Sequence, residues 1–289
     1  MKHVTFLGLG VMGYPMAGYL SEAGHRVTVF NRTTEKAERW CSQYQGRRAA
    51  TASEAVKDVD AVFTCLGDDP DVREVVLAPG GVLDSMPSGS LYVDHTTASA
   101  GLARDIAAAG EARNIACLDA PVSGGQAGAE NGVLTIMVGG TEEAYARAEP
   151  FLGCYGKTMR LIGPTGSGQL TKMCNQIAIA GVVQGLAEAL NFGKRAGLDV
   201  EAVIEVISKG AAQSWQMENR WQTMIEDKFD FGFAVEWMRK DLRICLDEAR
   251  RNGAELPIAA LVDQFYADVE GMGGKRWDTS SLIARLNRQ

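Results

Sequence analysis

Residues 3–33, HVTFLGLGVMGYPMAGYLSEAGHRVTVFNRT, decide how the rest of the chain is read. An apolar run from Val4 to Leu9 meets the cluster Gly8-Leu9-Gly10-Val11-Met12-Gly13. A helix-forming segment from Met16 to Glu22 follows, stops at Ala23-Gly24, and gives way to a second apolar run, Arg26 to Phe30. The order is strand, glycine turn, helix, strand. That context makes the GxGxxG spacing a dinucleotide-binding signature rather than a chance pattern. Gly8 permits the tight turn, Gly10 lets the main chain approach a pyrophosphate, and Gly13 lets the helix pack close to the strand. The helix N-terminus at Val11 and Met12 then presents unpaired N–H groups and a positive dipole end to the phosphates.

The end of the second strand indicates which dinucleotide. An NAD site usually carries Asp or Glu about 20 residues past the motif, on the ribose 2′-hydroxyl. Here the strand ends in Phe30-Asn31-Arg32-Thr33, and Glu35 comes only in the next helix. Asn31 and Thr33 can hydrogen-bond a 2′-phosphate, and the planar fork of Arg32 can pair with its charge. NADP(H) is therefore favoured, with NAD(H) possible. The alternative is a solvated surface arginine in an enzyme indifferent to the phosphate.

The chain has 289 residues, enough for two domains and a sizeable core, and its 46% apolar and 22% charged residues are ordinary globular composition. A net charge of −7 argues against nucleic-acid binding, which wants a basic face. No uncharged apolar run of 18 residues is apparent, so no membrane span is expected. Met1-Lys2-His3 leads straight into a strand, without the pattern of a secretory signal. The six cysteines form no CxxC pair and read as buried, reduced thiols of a cytoplasmic protein. With three histidines and no close zinc-ligand spacing, no metal site is expected.

Further along, strands at 61–66, 89–94, 117–122, 134–138 and 159–162 alternate with helices at 34–46, 71–78, 99–113 and 141–152, and Arg47 to Ser53 reads as a loop. Such alternation means an α/β fold, a doubly wound, mostly parallel sheet of the Rossmann type covered on both faces. Its ligands bind outside the carboxyl ends of the strands. The segments Gly67–Pro70, Asp94–Thr97 and Ser123–Gly125 fall at such ends. After Pro164 no convincing strand appears. Ser167 to about Arg195 reads as one long helix, on the order of 40 Å, with apolar residues on more than one face. Further helices are expected at 199–209, 216–226, 233–252, 256–271 and 279–287, with Gly197 and Gly253 as C-caps. The expected domains are 1–164, dinucleotide-binding, and 165–289, all-helical. The apolar character of the second suggests a subunit interface, giving a homodimer or homotetramer.

A nicotinamide enzyme needs a group that gives or takes the proton on the substrate oxygen. With histidine scarce, Lys172 is the candidate, near the start of the long helix and flanked by apolar residues. Desolvation in such a setting draws an ammonium toward the neutral form. Asn175 and Gln176, three and four residues on, share its helix face. A lysine snorkelling from a buried helix is the equally open alternative. Lys240, in Trp237-Met238-Arg239-Lys240-Asp241-Leu242, reads as part of a solvated charged face. Trp215 and Met217 either wall a pocket or belong to the core, with core favoured.

Four separated motifs, covering the whole chain in order, resemble the β-hydroxyacid dehydrogenase family. This is the group of 3-hydroxyisobutyrate dehydrogenases, tartronate semialdehyde reductases and glyoxylate/succinic semialdehyde reductases. The motifs are GLGVMGYPMA, Asp119-Ala120-Pro121-Val122-Ser123-Gly124-Gly125, the Gly168–Gln176 segment, and Lys240-Asp241-Leu242. The resemblance implies that Lys172 is the general acid in reduction and the base in oxidation. It implies that Ser123, Gly124 and Gly125 bind the substrate carboxylate and that Asn175 hydrogen-bonds substrate. Some members carry asparagine where this chain has Gln176, so either amide can be the substrate contact. Thr97 and Lys240 are implied at the nicotinamide end, with Leu66 and Gly67 lining the cofactor cleft. The activity implied is interconversion of a short 3-hydroxy acid and its semialdehyde, with a small-molecule substrate as partner. Two rivals remain: an imine reductase on the same scaffold, whose members usually lack the lysine, and a non-catalytic NADPH-binding protein.

Overall fold

The computed structural model describes residues 1–287; Arg288 and Gln289, the end of the expected helical domain, lie outside the described residues. Nine strands form one sheet: β1 (His3–Leu7), β2 (Arg26–Phe30), β3 (Arg47–Arg48), β4 (Ala61–Thr64), β5 (Leu91–Asp94), β6 (Ala116–Asp119), β7 (Val122–Ser123), β8 (Leu134–Gly139) and β9 (Gly156–Gly163). Their order is β3-β2-β1-β4-β5-β6-β8-β7, with β9 paired to β8. The pairs from β3 to β6 are parallel, β8 runs antiparallel to β6 and β7, and β9 is parallel to β8. The order reverses between β1 and β4, the place where doubly wound sheets bind their ligands. The glycine turn leaves β1 there.

Alternation along each strand fills both layers. Val4, Phe6 and Phe63 pack with Met16, Leu20 and Trp40, while Leu7, Val62 and Tyr92 pack with Leu102 and Ile106. Burial on both faces explains why these strands read as continuous apolar runs.

Three local expectations need correction. Arg47–Arg48 is a short edge strand beside β2 where a loop was expected. The strand expected over 117–122 stops at Asp119, because Pro121 has no N–H to continue the ladder. Val122–Ser123 then pairs antiparallel with Ile136 and Thr135. Beyond it, Gly124 and Gly125, at φ +133° and +59°, turn the chain into the short Gly125–Glu130 helix, which periodicity did not reveal.

The chain divides into two compact units, the first ending at Lys172 and the second starting at Met173. The division into compact units falls inside the Ser167–Arg195 helix, whose first turn is bonded to the sheet. The second unit adds helices Val200–Ile207, Trp215–Ile225, Val235–Asn252, Pro257–Gly271 and Leu282–Leu286. Asp199 and Ser214 cap two of these through their side chains, and Gly253 closes a third in the left-handed conformation. Leu186, Leu190, Met217, Phe229, Met238, Leu242 and Tyr266 form its core. By length and composition the Ser167–Arg195 helix is apolar enough to cross a membrane, a test that a buried core helix also passes, and Lys172 and Glu188 interrupt it with charge. Ala180, Val183, Leu186, Ala187 and Leu190 nevertheless belong to the core of the second unit.

Candidate active site

The glycine turn is built as its spacing implies, and two of its glycines serve the fold. Gly8 sits at φ +97°, and a Cβ there would lie 2.3 Å from the Cys65 carbonyl oxygen. A Cβ on Gly13 would lie 2.0 Å from the Gly8 oxygen. Gly10 is different: a Cβ there would meet nothing within 4 Å. The chain's own packing does not require glycine at that position, whereas close approach by a pyrophosphate does. About 500 Å³ of open space adjoins the turn, lined by Gly10, Val11, Tyr14, Lys36 and Arg39 among others. That space is not lined by Arg32, Leu66, Gly67 or Thr97, so it is the turn itself, with its uncrowded Gly10, that fits a dinucleotide.

At the end of β2, Asn31 Oδ1 accepts a hydrogen bond from Leu9 N at 2.8 Å, and Asn31 Nδ2 donates to the Thr33 carbonyl at 3.0 Å. Asn31 thus ties the glycine turn to β2, a role that sequence reading missed. Arg32 is 89% exposed, with Asp71 Oδ1 3.6 Å from its guanidinium. Thr33 precedes the next helix as its N-cap. Lys36 and Arg39, on that helix, face the open space, and sequence reading passed over both.

A buried polar chain shapes the loops after β4 and β5. Thr64 Oγ1 donates to Asp94 Oδ1 at 2.8 Å and Tyr92 Oη lies 2.8 Å from the same hydroxyl. Thr96 N donates to Asp94 Oδ1, and Leu66 N donates to Thr96 Oγ1. Leu66, which with Gly67 was expected to line the cleft, is thereby held beside Thr96. Burial pushes the Asp94 carboxyl up to about 6, opposed by its bonds from Thr96 and Thr64. His95 is not a free acid: it lies 2.6 Å from the Ala120 carbonyl and 2.8 Å from Tyr155 Oη. Burial lowers its pKa to about 4.

The first turn of the Ser167–Arg195 helix is anchored to the ends of β5 and β6. Asp119 Oδ1 accepts from Gly166 N at 2.8 Å and Oδ2 from Gln169 N at 2.9 Å, satisfying N–H groups that a helix start leaves open. Gln169 reaches the loop after β5 through two further bonds. One turn on, Lys172 is 7% exposed. Ser123 is half-buried and Gly124 and Gly125 are exposed, at the start of the Gly125–Glu130 helix.

In the second unit Gln176 Nε2 donates to Asp241 Oδ2 at 2.6 Å and Gln176 Oε1 accepts from Asn175 Nδ2 at 2.7 Å. The Gln176 amide is thus committed at both ends. Lys240 is not part of a solvated face: its side chain is 11% exposed and its ammonium lies 2.9 Å from Asp241 Oδ1. Met217 belongs to the core, but Trp215 is 49% exposed and stacks under the Arg220 guanidinium at 4.7 Å. Against the expectation of buried thiols, Cys174 is exposed, Cys41, Cys65, Cys117 and Cys154 are half-buried and Cys245 alone of the six is buried; no disulfide joins them.

Residues 3–163 match the family model described as the NAD binding domain of 6-phosphogluconate dehydrogenase. Residues 166–286 match the NAD-binding domain of NADP-dependent 3-hydroxyisobutyrate dehydrogenase. An uncharacterized oxidoreductase of Shewanella frigidimarina is 62% identical over 100% of this chain and 99% of its own. The 3-hydroxyisobutyrate dehydrogenase of Pseudomonas aeruginosa is 34% identical over 92% of each chain. Among solved structures, Mycobacterium tuberculosis 3-hydroxyisobutyrate dehydrogenase with L-serine has a TM-score of 0.90, with 32% identity over 100% of both chains. With a dinucleotide turn at the sheet's reversal point and a buried lysine on an anchored helix, the chain belongs to the β-hydroxyacid dehydrogenases, NAD(P)-dependent enzymes acting on CH–OH groups.

Proposed function

We propose that the enzyme prefers NADP(H) and interconverts a short 3-hydroxy acid and its semialdehyde, of the hydroxyisobutyrate, tartronate or succinic type. The observation that carries this reading is Lys172, buried one turn past a helix start anchored to the ends of β5 and β6. A bound nicotinamide supplies or accepts the hydride. In the reducing direction Lys172 Nζ gives a proton to the carbonyl oxygen; in the oxidising direction it takes the hydroxyl proton. The Ser123 hydroxyl and the main-chain N–H groups of Gly124 and Gly125 hold the carboxylate. Asn175 is the substrate amide, since Gln176 is committed to Asp241 and Asn175. Arg32 and Thr33 engage the 2′-phosphate; the exposure of Arg32 and the absence of a carboxylate at the tip of β2 support this.

The test is a screen of short aldehyde acids and a cyclic imine with both nicotinamides, wild type against Lys172→Ala. The variant is expected to bind NADPH and to lose at least 100-fold in kcat, within the range of general acid–base contributions. Near-normal turnover by a variant that still binds NADPH would end this mechanism.

We also propose a second copy of the chain as partner of the helical unit. Val182, Ile258 and Leu261 are 38%, 58% and 49% exposed, and a Cβ on Gly181, next to Val182 in the chain, would lie 3.8 Å from Ile258; these exposed apolar residues support the reading. Light scattering on wild type and Ile258→Arg reads this directly; a monomeric wild type contradicts it.

A further inference from the structure

Gln169 is 1% exposed and lies one helical turn before Lys172. Its Oε1 accepts from Ala98 N at 3.0 Å and its Nε2 donates to the Thr96 carbonyl at 2.7 Å. One side chain thus brackets Thr97 on both sides. Its own N–H is held by Asp119 Oδ2. The surrounding packing leaves no slack. A Cβ on Gly168 would lie 2.5 Å from the carbonyl oxygens of Asp119 and Met137, and one on Gly139 would lie 2.5 Å from Asp119 Oδ1. The helix start, the end of β6 and the loop after β5 are therefore closely packed together, and Gln169 bonds the helix to the Thr96–Ala98 segment at two points.

We propose that Gln169 is a positioning residue that sets the Thr97 loop and the Lys172 helix in a single register, so that the cofactor side and the proton side of the reaction are aligned by one amide. This rests on the roles given above to Lys172 and Thr97. A misplacement on the order of 1 Å between reacting groups costs about 10²-fold in rate. Loss of both amide bonds also leaves a buried N–H and a buried carbonyl without that partner.

The experiment compares Gln169→Met, Gln169→Glu and the control Thr171→Ala, whose hydroxyl bonds only within its own helix. Gln169→Met keeps length and volume and removes both bonds. Its kcat is expected to fall about 10- to 100-fold, with the NADPH Kd within about threefold of wild type, while Thr171→Ala stays within about twofold. Gln169→Glu keeps the acceptor for Ala98 N but sets a carboxylate against the Thr96 carbonyl. Protonation restores the donor, so its kcat relative to wild type should rise as pH falls, which no generally destabilised variant would do. Amide hydrogen exchange over residues 94–102 should quicken in Gln169→Met, a readout that needs no turnover. A kcat within twofold of wild type, a pH-independent ratio for Gln169→Glu, or unchanged exchange would overturn the proposal. A wild type silent toward every substrate would sink the proposed reaction instead, and the exchange measurement would then decide for or against the clamp alone.

Discussion

Gln176 donates to Asp241 at 2.6 Å, and the two residues are 3% and 2% exposed. A buried carboxylate needs such partners, and Lys240 supplies another at 2.9 Å. Gln176 is therefore spent on the second unit's interior, and Asn175 donates to it from the same helix. Gln176→Leu should destabilise the protein by roughly 3 kcal/mol, the cost of removing one partner of a buried charged group, read as a fall in Tm. Asn175→Ala removes the donor to the buried Gln176 oxygen and should lower Tm by less than Gln176→Leu does, while raising the KM for hydroxy acid. A variant pair with the two effects exchanged would make Gln176 the substrate amide.

The three glycines of the turn separate fold from function. Gly13→Ala would drive a Cβ to 2.0 Å from a main-chain oxygen, so the variant should fail to reach wild-type Tm. Gly10→Ala meets nothing, and should melt within a few degrees of wild type while losing NADPH affinity. Fluorescence titration with NADPH beside thermal melting reads both. Unchanged NADPH affinity in Gly10→Ala would mean that the pyrophosphate does not pass over this turn.

Arg32 is almost fully exposed and only loosely paired with Asp71, so its removal should not disturb the fold. Arg32→Ala should raise the KM for NADPH far more than that for NADH, because only the former carries the phosphate that a guanidinium fork recognises. Salt should weaken NADPH binding more in wild type than in the variant. Equal changes for both cofactors would undo the 2′-phosphate assignment.

What was legible in the chain follows from how local each signal is. The glycine turn, the long helix and Lys172 rest on spacing within a few residues, and they emerged at or near their observed bounds. Asp119 and Gln169 were invisible as a pair, because they are 50 residues apart in sequence and meet only through the sheet. The same holds for Asn31 and Leu9, 22 residues apart, where a polar residue at a strand tip was read as facing ligand and instead holds the neighbouring turn. The break in the strand after Asp119 had a local signal, Pro121, overridden by the apolar run around it. The exposure of Trp215 had none: composition favours tryptophan inside, and only the Arg220 guanidinium across its ring shows how it is accommodated.

Asp94 and His95 are neighbours in sequence, both fully buried, and displaced in opposite directions. Native Asp94 keeps its proton to about pH 6 against a usual 3.8, chiefly through burial. Native His95 stays neutral down to about 4 against a usual 6.5, again through burial. The raised carboxyl contributes stability that is complete below pH 3.8 and lost as pH rises through 6. The depressed imidazole contributes stability that is complete above 6.5 and lost as pH falls through 4. Each shift corresponds to roughly 3 kcal/mol, so between pH 4 and 6 the two slopes cancel and wild-type stability should be nearly flat from this pair. Asp94→Asn retains an acceptor for Thr64 and Thr96 and removes one slope; its stability in urea should rise with pH across the window, by an amount on the order of 3 kcal/mol. His95→Asn should show the reverse, falling as pH rises. If both variants track the wild-type curve, neither group is held as its burial requires, and the polar chain from Thr64 to Thr96 is not what fixes the loops beneath Thr97.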